Sequence, residues 1–423
     1  MLLTVVILFF VLLALGCQIP FATVVAALPY FIFTPRVDGL VMSQKIFSAN
    51  DSFSLLAIPF FMLAGSVMEA TGITEGIVNF ANSLIGHIRG GMAHTASLAG
   101  VIMAGVSGSA NADASALGSL LLPTLKKAGY DEGFAVACIA SAAGLGPIIP
   151  PSILMVIYAG ITGYATGKLF LGGIIPGLML GFGFCIVNYI YAKKANIPKT
   201  EFQGWKHIWD EFKVAVWALL MPVIIVGGIL TGMFTATEAG VAAVLYGVAY
   251  GLITRKLNLK KLWQCLKAAN LSTASPMFII LTAGILSYTI NVLGVSAVIE
   301  NFCVNYLSTK WAFYGFVVLI LFIAGCLIDG NATMLMLVPI FLPIATTLGL
   351  NELQFAVLFI VLLCLGGITP PVGMYLFIVC GVDGTPLEKC LKHVVPFVIV
   401  NLVVVALMIA FEPLTTFLPG LLG

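Results

Sequence analysis

The sequence predicts an all-α integral membrane protein made of two inverted-topology repeats, each with a re-entrant helical hairpin and a helix interrupted at Pro-Pro. Three observations predict it: composition, the length of the apolar runs, and a self-match at one fixed offset. Of 423 residues, 61% are hydrophobic and 9% are charged, against roughly 25% charged in an average soluble domain. That balance excludes a water-soluble fold. Apolar runs recur along the whole chain, many of them near the roughly 20 residues a helix needs to cross a bilayer. They correspond to about ten to a dozen membrane segments. The roughly ten-residue alternating strands of a membrane β-barrel are not visible.

The self-match has an offset of 220 residues: Pro150-Pro151 recurs as Pro370-Pro371, Gly146 as Gly366, Pro123 as Pro343, Asn111-Ala112 as Asn331-Ala332, and Gly105 as Gly325. It divides the chain into repeat one, 1–195, and repeat two, 215–423, joined by an interfacial linker helix over 196–214. The first segment has no positively charged start and is expected to stay in the mature protein. It is expected to break near Gly16, as repeat two does near Thr235.

In repeat one the hairpin spans about 92–126, with half-length arms 92–106 and 114–125 around the turn 107–113. Arms too short to cross imply a tip at mid-membrane. A broken helix follows over about 131–163, interrupted at Gly144–Ser152. In repeat two the hairpin spans about 311–349 and turns at Ile328-Asp329-Gly330-Asn331, and the broken helix spans about 352–380, interrupted at Gly366–Pro371. Two stretches, 204–213 (Trp205, Ile208, Trp209, Phe212) and 259–266 (Leu259, Leu262, Trp263, Leu266), place apolar residues at i, i+3, i+4, i+7 with charges opposite, the pattern of helices lying along a membrane surface.

Short cytoplasmic loops collect Lys and Arg. With the first hairpin opening inward and the second outward, fifteen Lys and Arg fall inside and only Arg36, Lys45, Lys168 and Lys310 outside. This supports antiparallel repeats.

Irregular backbone at membrane depth is tolerated where it lines a cavity, and in transporters such breaks build the binding site. Proline lacks a backbone donor and frees carbonyls one turn earlier, and free carbonyls suit a small hard cation. The candidate cation ligands are Ser107, Ser109, Asn111, Asp113, Gly144, Pro147, Pro150, Gly325, Asp329, Asn331, Gly366, Thr369 and Pro370. An oxygen cage with little charge matches Na⁺, and the repeat predicts at least two such sites, each a tip facing the break of its own half. Candidate substrate ligands are Ser107, Asn111, Ser152, Asn331, Thr333 and Thr369. At the tips, Gly, Ser and Ala could instead serve only close helix packing. Asn and Asp at that depth are costly without a role.

No other metal is expected, because the four histidines lack ligand spacing, and the nine cysteines form no Cys-x-x-Cys pair. The three arginines, Arg36, Arg89 and Arg255, fall in predicted loops, so an anionic cargo must be met by helix N-termini, hydroxyl and amide donors, and bound cations. An enzyme reading rests on Gly105-Val106-Ser107-Gly108, which matches the Gly-x-Ser-Gly of rhomboid intramembrane proteases. The next histidine downstream is His207, in the linker, so no enzyme is expected. A passive ion channel is a third class compatible with paired hairpins.

Five stretches carry a resemblance to a known family: Ser107–Ala114, Leu121–Tyr130, Gly146–Ser152, Phe234–Ala239 and Gly366–Gly373. Together they resemble the large membrane subunit of the tripartite ATP-independent periplasmic (TRAP) transporters. One departure is Ala236, where that family's Thr-Pro-Thr-Glu pattern has proline. The resemblance implies Na⁺-driven uptake of an organic acid, such as a C4-dicarboxylate, another carboxylate or sialic acid, across the bacterial inner membrane. It implies an elevator-type transport domain moving past a scaffold. It also implies a soluble periplasmic substrate-binding protein and a small four-helix membrane subunit, here a separate polypeptide because the chain begins with repeat one. Nucleic acid is not an expected partner.

Overall fold

The computed structural model describes residues 2–34, 39–49, 51–307 and 309–422, and among these the regular structure is helical throughout. From the amino end, α1 (Leu2–Ala14), α2 (Ile19–Phe33) and α3 (Gly39–Ala49) lead through a 3₁₀ turn into α4 (Ala57–Ala70) and α5 (Ile73–Ile85). The first hairpin is α6 (Gly91–Ser107) with α7 (Ala110–Lys127). The two halves of the first broken helix are α8 (Glu132–Ala143) and α9 (Ile153–Thr162), and α10 (Thr166–Lys194) follows. Then come α11 (Trp205–Leu230), α12 (Ala236–Ile253), α13 (Leu259–Val292) and α14 (Val295–Tyr306). The second hairpin is α15 (Lys310–Leu327) with α16 (Gly330–Thr347), the second broken helix is α17 (Glu352–Gly367) with α18 (Met374–Asp383), and α19 (Leu387–Ala410) and α20 (Pro413–Leu422) close the chain.

Burial separates centre from rim. In α8 every residue after Glu132 is buried, and in α17 every residue from Leu353 to Gly367. A helix apolar on all sides belongs in a core. Asp131 caps α8 by accepting from Gly133 N at 3.0 Å, and Asn351 caps α17 by accepting from Leu353 N at 2.9 Å. Around these two helices, α7 and α16 pack across onto α18 and α9 of the opposite halves, so the halves interleave. Eight helices among the described residues are long and apolar enough to cross a membrane.

Four sequence expectations differ from the structure. The 196–214 stretch is not a separate surface helix: 205–213 are the first turns of α11, which runs unbroken to Leu230, because no Gly or Pro interrupts it before Pro222. The 259–266 stretch likewise opens the 34-residue α13, with Asn258 accepting from Lys261 N at 2.8 Å. Tip one is narrower than 107–113, since only Gly108 and Ser109 separate α6 from α7. Gly108 has φ +62° and reverses the chain within one residue. Finally, α15 and α16 are 18 residues each, long enough to cross by length alone rather than half-length.

The predicted breaks near Gly16 and Thr235 lie between helices. Thr235 accepts from Glu238 N at 3.3 Å while Glu238 Oε2 accepts from Thr235 N at 2.8 Å. This capping box forms with Ala236 at the first helical position.

Candidate functional site

Tip one is built by close backbone contact. A Cβ on Gly108 would stand 2.5 Å from Pro151 O, so only glycine lets the tip touch the break of its own half. Ile153 N donates to Gly108 O at 3.3 Å across that contact. Ser107 Oγ accepts from Ser109 N at 3.1 Å, steadying the turn. A Cβ on Gly146 would lie 2.7 Å from Asp113 Oδ2 and 3.1 Å from Ala110 N. The interrupted helix therefore lies directly on the first turn of α7.

Asp113 has no exposed surface, and among the described residues neither carboxylate oxygen has a hydrogen-bond partner. The Ser107 side chain is near enough to interact with it electrostatically. A buried carboxylate without a partner is too costly to remain ionised alone. This position can take a cation.

Tip two is built differently. Asp329 Oδ2 accepts from Asn331 N at 3.0 Å and caps α16, with Ile328 and Asp329 forming the whole turn. Its approach to the second break is again backbone on backbone: a Cβ on Gly325 would meet Gly366 Cα at 3.0 Å, and Val372 N donates to Cys326 O at 3.2 Å. Both breaks contain a cis peptide bond, at Pro150-Pro151 and Pro370-Pro371.

Both tips open onto one cavity of about 1130 Å³. Of the residues singled out in the sequence, Ser107, Ser109, Asn111, Asp113, Pro147, Gly325, Asp329 and Asn331 line it. Gly144, Pro150, Ser152, Thr333, Gly366, Thr369 and Pro370 are not in its lining. Three of these have hydroxyls committed to nearby backbone. Ser152 donates to Pro147 O and accepts from Met155 N at 3.2 Å, capping α9. Thr333 donates to Asp329 O at 3.0 Å and Thr369 to Leu365 O at 2.7 Å.

Sequence reasoning missed Ser66 and Glu69 on α4, Ser272 and Ser275 on α13, and Tyr375 on α18, all of which line the cavity. A signal existed for Glu69, a carboxylate near the end of an apolar run, and for two serines at i, i+3 in a membrane helix.

Among the described residues no Lys, Arg or His lines the cavity, and Arg36 lies outside those residues. The N-termini of α7 and α16 both begin at the cavity wall, and helix N-termini are the kind of group that can face an anion. The Gly-x-Ser-Gly serine has no histidine beside it on its own helix: His94 is about 20 Å away along the axis at 1.5 Å per residue.

Comparison with known proteins adds three findings. A model of the family described as "Tripartite ATP-independent periplasmic transporter, DctM component" matches residues 6–414. The chain is 33% identical to the 2,3-diketo-L-gulonate TRAP transporter large permease protein YiaN of Escherichia coli, covering 97% of this chain and 95% of that protein. It is 35% identical to the C4-dicarboxylate TRAP transporter large permease protein DctM of Pseudomonas aeruginosa, covering 94% and 93% respectively. In fold it is similar to the YdaH transporter of Alcanivorax borkumensis, with a TM-score of 0.64 at 15% identity over 92% of this chain and 90% of that one.

Proposed function

The chain belongs to the DctM component family of tripartite ATP-independent periplasmic transporters, and from that premise we propose that it carries an organic acid anion inward on the Na⁺ gradient by an elevator-type movement. As a large permease subunit it is a multi-pass bacterial inner-membrane protein and not an enzyme. The observation that carries the proposal is the cavity onto which both hairpin tips open, with Asp113 and Asp329 at its wall and no basic side chain among the described residues of its lining. An anion enters such a site only if cations have already offset the carboxylates. Binding the cation first is what couples its gradient to the cargo.

One Na⁺ would sit where tip one meets the first break, with Asp113 and the freed carbonyls as ligands; a second would sit where tip two meets the second break, beside Asp329. Helix ends and unwound backbone at a midplane site are how transporters hold both anion and ion. The hairpins and broken helices would move together as the transport domain, with α2, α4, α11, α12 and α13 as the scaffold. The cargo is an organic acid of the class named for the relatives, handed over by a soluble periplasmic binding protein. A small four-helix membrane subunit would complete the scaffold.

The test is uptake into proteoliposomes holding this chain and its small subunit, with the binding protein and labelled acid outside. Accumulation should fall to the equilibrium level when the Na⁺ gradient is collapsed by an ionophore. Accumulation that persists without the gradient would overturn the coupling.

A further inference from the structure

The wall that faces the two tips carries a chemistry the tips do not supply. α4 and α13 pack along each other and are joined where the Cys265 thiol donates to Ser66 O at 3.5 Å. From this pair Ser66, Glu69, Ser272 and Ser275 line the cavity. The wall stands close to tip one, since a Cβ on Gly65 would meet Ser107 Cα at 3.6 Å. Glu69 is near enough to Asp113 for their charges to interact.

The hydroxyls on this wall are uncommitted, in contrast with others on the same helix. In α13 the buried Thr273, Thr282 and Thr289 donate to their own helix at 2.7, 3.0 and 2.9 Å. Such back-bonding is the usual fate of a hydroxyl in an apolar helix. Ser272 and Ser275, one turn apart on the cavity face, make no such bond among the described residues, and Ser66 and the Glu69 carboxylate also have no partner there. Asp113, fully buried with both oxygens unpartnered, marks the same cavity as one that receives a ligand.

Charge then narrows the ligand. Among the described residues the lining holds three carboxylates, Glu69, Asp113 and Asp329, and no basic group. Under the permease reading, on which this inference rests, the two cation sites offset Asp113 and Asp329 but leave Glu69 charged. A dicarboxylate would bring its second charge against Glu69, and like charges at close range oppose binding. A hydroxyl group would meet Glu69 as a donor, and hydrogen bonds to an ionised acceptor are the strong ones.

We propose that the α4–α13 wall reads hydroxyl groups and that the cargo is a polyhydroxylated monocarboxylic acid. Its one carboxylate lies at the N-termini of α7 and α16. Its hydroxyls donate to Glu69 and exchange hydrogen bonds with Ser66, Ser272 and Ser275.

Calorimetric titration tests this on the permease purified with its small subunit at a fixed Na⁺ concentration. The probes are gluconate and a panel of its six-carbon stereoisomers and keto derivatives, with hexanoate as the acid lacking hydroxyls and succinate as the dianion. At least one hydroxy acid should bind about tenfold or more tightly than hexanoate and succinate, the size expected from one or two charge-assisted hydrogen bonds. Glu69→Ala should erase that advantage, and Ser272→Ala with Ser275→Ala should shrink it severalfold. The wild-type comparison needs no variant to fold. Succinate binding as tightly as every hydroxy acid overturns the proposal and leaves the permease reading intact, provided its binding needs Na⁺. An advantage that survives Glu69→Ala overturns the role of the wall. If no acid of the panel binds in a Na⁺-dependent way, this proposal falls, and the permease reading is decided separately by the Na⁺-gradient uptake assay.

Discussion

Asn111 and Gly366 show two ways in which single residues shape this site. Asn111 sits in the first turn of α7 with its side chain on the cavity. Asn111→Ala is expected to lower uptake at least severalfold while the protein still inserts and folds; uptake at the wild-type rate would place the cargo elsewhere. Gly366 acts by absence, because a methyl group there would stand 2.5 Å from Gly325 Cα. Gly366→Ala should cost about 1–3 kcal/mol through the backbone shift that overpacking forces, measured as a lower unfolding temperature in detergent. Polar residues at membrane depth were legible because burying them without a role is costly, which is why Asn111, Asp113, Asp329 and Asn331 stood out. Ser152, Thr333 and Thr369 looked equivalent in sequence. Their hydroxyls bond backbone of their own breaks and helices, a choice that depends on which face of a helix meets the cavity. Glu69, Ser272 and Ser275 were missed for the same reason, since only packing decides which face looks inward.

Between elements, the two halves are tied by an ion-pair cluster at one end of the hairpin-bearing helices. Lys126, at the end of α7, pairs with Asp383 at the end of α18 and with Glu132 at 3.3 Å, and Lys389 of α19 reaches Glu132 at 2.9 Å. Hydrogen bonds from Lys389 and Lys126 hold the Glu132 carboxyl below its ordinary range. Burial works to raise Asp383, but the hydrogen bonds from Lys126 and Thr385 outweigh it and hold this carboxyl low as well. Depressed carboxyls contribute stability that is complete above their unfolded values, near 4 for Asp and Glu, and is lost as pH falls through the lower folded values. The unfolding temperature should therefore be level from neutral pH to about 5 and fall below about 4. Lys126→Met should make that fall shallower. The effect should be small, because partly exposed pairs are weak. At this scale the 220-residue offset was informative: α16 begins and ends 220 residues after α7, and α17 begins 220 after α8. Element boundaries were less legible. Ala-rich sequence after Ser109 continued the helix where a wide turn was expected, and α11 ran on through the predicted linker.

At the scale of the whole molecule, ten of the nineteen Lys and Arg fall in 193–213 and 254–267, at the end of α10, the start of α11, the end of α12 and the start of α13. α11 and α12 pack on each other and are joined by the short turn 231–235, so the start of α11 and the end of α12 share a face. Positive charge gathers on cytoplasmic faces, which orients the molecule without reference to its cargo. Membrane class and family were legible because composition and five short motifs span the chain. The cavity was not, because it is enclosed by helices far apart in sequence. In the proposed transport cycle the two tips hold Na⁺ at two separate carboxylates, Asp113 and Asp329. Initial uptake rate measured against Na⁺ concentration tests that most directly. The wild type should rise with a slope clearly above one on a Hill plot, and Asp113→Ala and Asp329→Ala should each bring the slope down toward one while raising the half-saturating Na⁺ concentration about tenfold. Single-site variants that keep the wild-type Na⁺ dependence would contradict it.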